Sequence, residues 1–218
     1  TKKSTNTALS GLIRSCAANL IYALLEDSGN KGIYIAGNSL NAAKIAEDLR
    51  FFSIKNGEDI LILEPYEYML YDVEAKSTEL SAMRVEIFYK ILCGNWKILV
   101  TSPAAIAQWL PKPEYIRESA LKLKKGNVIE IEDLITRLAG IRYLRVPEID
   151  GKGQFSVRGD IVDIFPYSSE NPVRIEFFDN EIDSVRFFDI LSQRTIENAG
   201  EILILPDNET YIWNWDHA

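Results

Sequence analysis

The 218-residue chain is poor in the residues that most chemistry requires, with one histidine, two cysteines and fewer basic residues (24) than acidic ones (32). His217, beside the C-terminus, leaves no ligand set for zinc and no base for a catalytic triad, and no metal is expected. Cys16 and Cys93 are far apart, each inside an apolar helical pattern. That excludes a disulfide framework and fits a reduced, cytoplasmic setting. The net charge of −8 removes the Lys and Arg surplus on which non-specific nucleic-acid binding draws. No apolar run approaches the ~20 residues that cross a bilayer and no N-terminal signal pattern occurs, so no membrane partner is expected.

A nucleotide-binding loop is missing where one would stand. The stretch Gly11-Leu12-Ile13-Arg14-Ser15-Cys16-Ala17-Ala18 occupies the place of GxxxxGK[ST], with Ala17 at the lysine position and Ala18 at the hydroxyl position. Neither alanine can supply the ammonium group or the magnesium-binding hydroxyl that phosphoryl transfer needs. The stretch therefore reads as a helix-packing segment or a degenerate phosphate loop, and no cofactor is expected. Asp160 and Asp163 lack a base or metal partner and read as solvated carboxylates rather than a catalytic pair. Lys122, Lys124 and Lys125 beside Gly126 read as a solvated strand end. No residue qualifies as catalytic.

What is present is a change of grammar along the chain. Helices are expected from Leu12 to Glu26, from the capping pair Asn38-Ser39 to about Phe52, from Ser77 or Thr78 to Leu92, and from Ser102-Pro103 onward. Between them lie strands at Ile33–Ala36, Asp59–Leu63 and Lys97–Thr101. Such alternation predicts a parallel sheet covered on both faces. After Pro111 and Pro113 come a short strand (Leu121 to Lys124), a helix (Glu130 to Ala139) and β segments near 143–149, 153–166, 172–178 and 181–188, which predict an antiparallel sheet. The expected boundary is near Tyr115 to Ser119. The fold class is α/β: a first parallel-sheet domain over 1–117, an inserted α+β domain with an antiparallel sheet over 118–206, and a return to the first domain from 207 to 218.

The antiparallel part offers one face to something else. Side chains alternate along a strand, so Val173, Ile175 and Phe177 go to the core and Arg174, Glu176 and Phe178 go outward. The same test sends Phe155 and Val157 inward with Ser156 and Arg158 outward, and Leu144 and Val146 inward with Arg145 outward. Gly159, where the apolar parity switches, reads as a bulge or kink. Asp179-Asn180 reads as a two-residue hairpin turn that sets Glu181 opposite Phe178. Between Tyr143 and Pro206 stand six basic residues, five of them Arg, against twelve acids. Arginine and aromatics in an acidic background favour a protein partner; the bland alternative pairs the arginines with local acids such as Asp160 and Asp183.

The run Phe155 to Pro166, with Arg174-Ile175-Glu176-Phe177-Phe178, Glu181 to Arg186 and Ser192-Gln193-Arg194, resembles the module shared by the nucleotide-excision-repair protein UvrB and the transcription-repair coupling factor family, Mfd. The resemblance is strong from about Tyr143 to Pro206. Ala17 and Ala18, and a stretch from Glu64 to Arg84 too short for UvrB's damage-probing hairpin, bring the chain nearer to the N-terminal region of the coupling factors. The resemblance implies a helicase-like first domain and an inserted domain that binds UvrA. It implies Arg158, Arg174 and Phe178 as central contacts, with Arg145 and Glu176 at positions used by the UvrB version. Ser156 stands where UvrB commonly has an arginine. RNA polymerase and double-stranded DNA are the partners that the family's downstream domains imply. The alternative is a UvrB-like ATP-dependent DNA-repair enzyme domain.

Overall fold

The computed structural model describes residue 8 and residues 10–53, 57–66, 75–108 and 110–209. In chain order the elements are α1 (Arg14–Ser28), β1 (Gly32–Ile35), α2 (Ser39–Phe52), β2 (Ile60–Leu63), α3 (Ala75–Cys93), β3 (Ile98–Thr101), α4 (Pro103–Ile106), α5 (Pro113–Ser119), β4 (Leu121–Lys124) and α6 (Ile131–Gly140). Seven strands complete it: β5 (Leu144–Arg145), β6 (Gln154–Arg158), β7 (Ile161–Phe165), β8 (Val173–Phe178), β9 (Glu181–Phe188), β10 (Thr195–Asn198) and β11 (Glu201–Ile204). The chain is a mixed α/β protein with one parallel and two antiparallel-type sheets. It divides into two compact units, Thr1–Pro65 with Cys93–Trp109, and Tyr66–Leu92 with Leu110–Ala218. The linear division at 117 differs from this in giving residues 66–92 and 110–117 to the first part. The place drawn for the boundary, Tyr115 to Ser119, lies inside α5.

In the first unit, β1, β3 and β2 form a parallel sheet in that order, as the alternation of strands and helices predicts. Ala18 and Tyr22 of α1 and Ala42, Ile45, Ala46 and Leu49 of α2 pack with Ile60, Ile98 and Val100. Among the described residues, coverage of both faces fails at β1, where Ile33 and Ile35 are exposed. Helix α2 starts where the sequence predicts, because Asn38 takes an extended backbone and its side chain accepts the Asn41 amide at 2.8 Å. Asn38→Ala should therefore cost about 1 kcal/mol in urea unfolding. In the stretch Gly11 to Ala18, Gly11 adopts φ 78, α1 begins at Arg14, Ser15 and Cys16 are exposed, and Ala18 is fully buried in the helix-packed core.

In the second unit, six strands run in the order β10-β9-β8-β7-β6-β5, all pairs antiparallel except β5 with β6. Helix α6 carries Glu132 and Asp133 in its first turn and Arg137 in its last, which suits the helix dipole. Its Leu134 and Leu138, both fully buried, cover the inner face formed by Phe155, Val162, Ile164, Val173, Ile175, Phe177, Ile182 and Val185. Each such side chain contributes about 1.5–3 kcal/mol when taken from water. Strand β4 pairs antiparallel with β11, Leu121 opposite Ile204, a long-range pairing that the sequence reading omits.

Two local expectations are corrected here. The segment 153–166 is not one bulged strand. It is a hairpin in which Arg158 pairs with Ile161 around Gly159 at φ 60, a left-handed conformation that glycine adopts without strain. The parity switch that suggested a kink is the reversal of the chain. At the sheet edge, Leu144 is exposed rather than inward and Tyr143 is the buried residue. The expected return segment 207–218 lies, beyond residue 209, outside the described residues.

Candidate protein-binding face

The outer face of the six-stranded sheet is built by register. Arg174 of β8 stands opposite Asp163 on one side and opposite Arg186 on the other. Two arginines directly opposed repel each other, and each turns to an acid instead. Arg174 donates through Nε to Asp163 Oδ1 at 2.7 Å and through Nη2 to Oδ2 at 2.9 Å. Arg158, diagonal to Asp163 across the β6–β7 hairpin, donates through Nη2 to the same Oδ2 at 2.6 Å. Arg186 pairs with Glu176, whose other oxygen accepts the Ser184 hydroxyl at 2.9 Å. The arginines do pair with local acids, as in the bland alternative, but through Asp163 and Glu176 rather than Asp160 and Asp183. Asp183 takes Lys125 at 3.2 Å instead.

The reading of Asp163 as a solvated carboxylate is therefore overturned. Its side chain is 2% exposed, and a buried carboxylate is tolerated because two guanidiniums hydrogen-bond it. Arg174 is held further by Gln193 Oε1 at 2.8 Å, from the loop between β9 and β10, and its guanidinium lies 4.4 Å from the centroid of Phe188. The hydrogen bonding that Arg174 donates to Asp163 is the main reason its guanidinium titrates higher than usual. Ser156, opposite Asp163, faces outward as expected yet is buried, and its hydroxyl has no hydrogen-bond partner among the described residues.

Beyond this braced cluster the face turns apolar. Phe178 is 75% exposed, opposite Glu181 across the two-residue turn where Asp179 takes φ 53. Glu181 is bridged on its other side by Val128, which is also exposed. The bonds Ile129 N to Asn180 O and Ile182 N to Asn127 O, both 2.9 Å, flank that bridge and make it a non-hydrogen-bonded pair, in which side chains stand closest. Phe178, Glu181 and Val128 thus form a row on one face. Sequence reasoning missed Val128 because nothing local ties residue 128 to β9.

The outer face brings together Arg158, Arg174, Glu176 and Phe178. Arg145 stands elsewhere. Its register partner is Phe155, which points into the core, while Leu144 pairs with Gln154 on the outer side. Arg145 is exposed at the sheet edge, and the alternation read for β5 was off by one because Tyr143 takes the core position. Among the described residues no cluster of His, Cys, Asp and Glu could hold a metal ion, and no helix is long and apolar enough to cross a membrane.

The six-stranded sheet thus combines a helix-packed inner face with an outer face that carries arginines and an exposed phenylalanine. In comparison with known proteins, residues 121–210 match the family described as the UvrB interaction domain. Along nearly its whole length the chain is similar to transcription-repair-coupling factors. It is 35% identical over 204 residues to that of Bacillus subtilis (strain 168), covering 94% of this chain and 17% of the relative. Against the Escherichia coli (strain K12) factor it is 28% identical over 208 residues, covering 95% and 18%, and against that of Haemophilus influenzae 26% over 209 residues, covering 96% and 18%. The chain thus spans less than a fifth of the length of these relatives.

Proposed function

We propose that this chain is the non-catalytic interaction module of a transcription-repair coupling factor, and that the outer face of its six-stranded sheet recruits UvrA. Through that contact, nucleotide excision repair is coupled to RNA polymerase stalled at a lesion. The observation that carries the reading is the exposed Phe178 ring on the same sheet face as arginines held by buried Asp163, within the segment that matches a UvrB interaction domain. Exposed aromatics and arginines are the residues that dominate binding energy at interface centres. The first unit is read as a helicase-like domain whose phosphate loop has decayed; Ala18 buried in the core, where a magnesium-binding hydroxyl would stand, supports that. DNA translocation driven by ATP, and the contacts with RNA polymerase and double-stranded DNA, belong to further domains of such a factor.

Isothermal titration of UvrA into the chain tests the reading. Arg158→Ala on the outer face should weaken binding by about 10-fold or more, as interface arginines do. Arg145→Ala, at the edge and on the other side, should change it by less than about 3-fold. Equal effects of the two, or none from Arg158→Ala in a folded chain, would remove the assignment.

A further inference from the structure

Arg158 and Arg174 are not equivalent. Arg174 is gripped at two nitrogens by Asp163 and again by Gln193, lies over Phe188, and is only 20% exposed. Arg158 is held at one nitrogen by Asp163, and its side chain is 48% exposed. Asp163 itself, at 2% exposure, can reach no partner. One buried carboxylate therefore anchors both guanidiniums, with Arg174 the brace and Arg158 the presented group.

We propose that Asp163 is a positioning residue for partner binding: it fixes the direction in which Arg158 offers the rest of its fork to the docking protein. This rests on the docking reading above. A long side chain ordered in advance does not lose that freedom on association, so a fixed Arg158 binds more tightly than a roaming one. Charge and position leave different kinetic traces. Asp163→Asn keeps the volume of the side chain but makes the face more positive, and a pure charge effect appears in the association rate and its salt dependence. Loss of position appears in the dissociation rate.

The test is surface plasmon resonance of purified UvrA on the immobilised chain. Asp163→Asn should raise the dissociation rate by about 10-fold, the scale of a charge-assisted hydrogen bond, with association changed by less than about 3-fold. In an Arg158→Ala, Arg174→Ala background the same change should add nothing, because its effect passes through the arginines. Unchanged dissociation for Asp163→Asn overturns the inference, and so does an equal loss in the arginine-free background, which would mark a general structural defect. Should Asp163→Asn fail to fold, Arg174→Lys decides: it keeps the charge but loses the two-pronged grip, so it should release UvrA nearly as fast as Arg174→Ala. Wild-type behaviour of Arg174→Lys would overturn the inference. Phe178→Ala, run in parallel, separates the two claims. If it too leaves binding intact, the docking face is wrong; if it weakens binding while Asp163→Asn does not, only the role of Asp163 falls.

Discussion

The Phe178→Ala chain is expected to bind UvrA about 2 kcal/mol more weakly than wild type, roughly 30-fold, with almost no change in its melting temperature. The two halves of that result have separate causes. The ring is 75% exposed, so truncating it opens no cavity in the folded chain. The inner face under it is closed by its neighbour Phe177, which is 6% exposed. A phenyl ring standing beside Glu181 and Val128 gains its burial only when a partner covers it. Its loss should therefore be felt in binding and not in folding. A titration with parallel thermal melts checks both. Lowered stability with unchanged affinity would mean that the ring serves the fold.

Arg84→Ala should behave in the opposite way, destabilising the second unit by about 3–5 kcal/mol without a direct effect on the docking face. Arg84 is completely buried in α3 and pairs with Glu209, whose side chain is 4% exposed. Its guanidinium also lies over the rings of Tyr66, at 4.6 Å, and Phe88, at 5.6 Å. Removing it leaves a carboxylate buried without its cation, which costs more than the pair itself is worth. Nearby Tyr66, its phenol pushed up to about 12 chiefly by burial, stays a neutral donor to the Ser81 hydroxyl at 2.8 Å. The urea midpoint of Arg84→Ala should fall sharply, whereas Arg84→Met combined with Glu209→Leu should recover much of the loss because no charge is left stranded. A midpoint close to wild type for the single variant would contradict this account of the pair.

Much of the architecture was legible because it follows from local rules. Helix α2 announces itself through its Asn38 cap, α4 through Ser102 and Pro103, and the β8 core face through strict alternation of Val173, Ile175 and Phe177. What was not legible depends on partners remote in sequence. The β4–β11 pairing joins Leu121 to Ile204, and Val128 meets Glu181, with no nearby residue to signal either. The site suffered from one misread turn. Read as a kink, Gly159 gives Asp163 no register partner, and the sequence offers that carboxylate neither a base nor a metal. Once 158–161 is a hairpin, the same alternation sets Asp163 between Ser156 and Arg174, and the carboxylate that organises the face becomes visible. At β5, a two-residue strand is too short for alternation to decide which of Leu144 and Arg145 faces out.

The most direct measurement is site-specific crosslinking to UvrA. A photoreactive phenylalanine analogue at position 178 keeps an aromatic ring on the outer face, while the same analogue at position 145 samples the sheet edge on the other side. The account predicts efficient crosslinking to UvrA from 178 and little from 145. Crosslinking from 145 with none from 178 would contradict it.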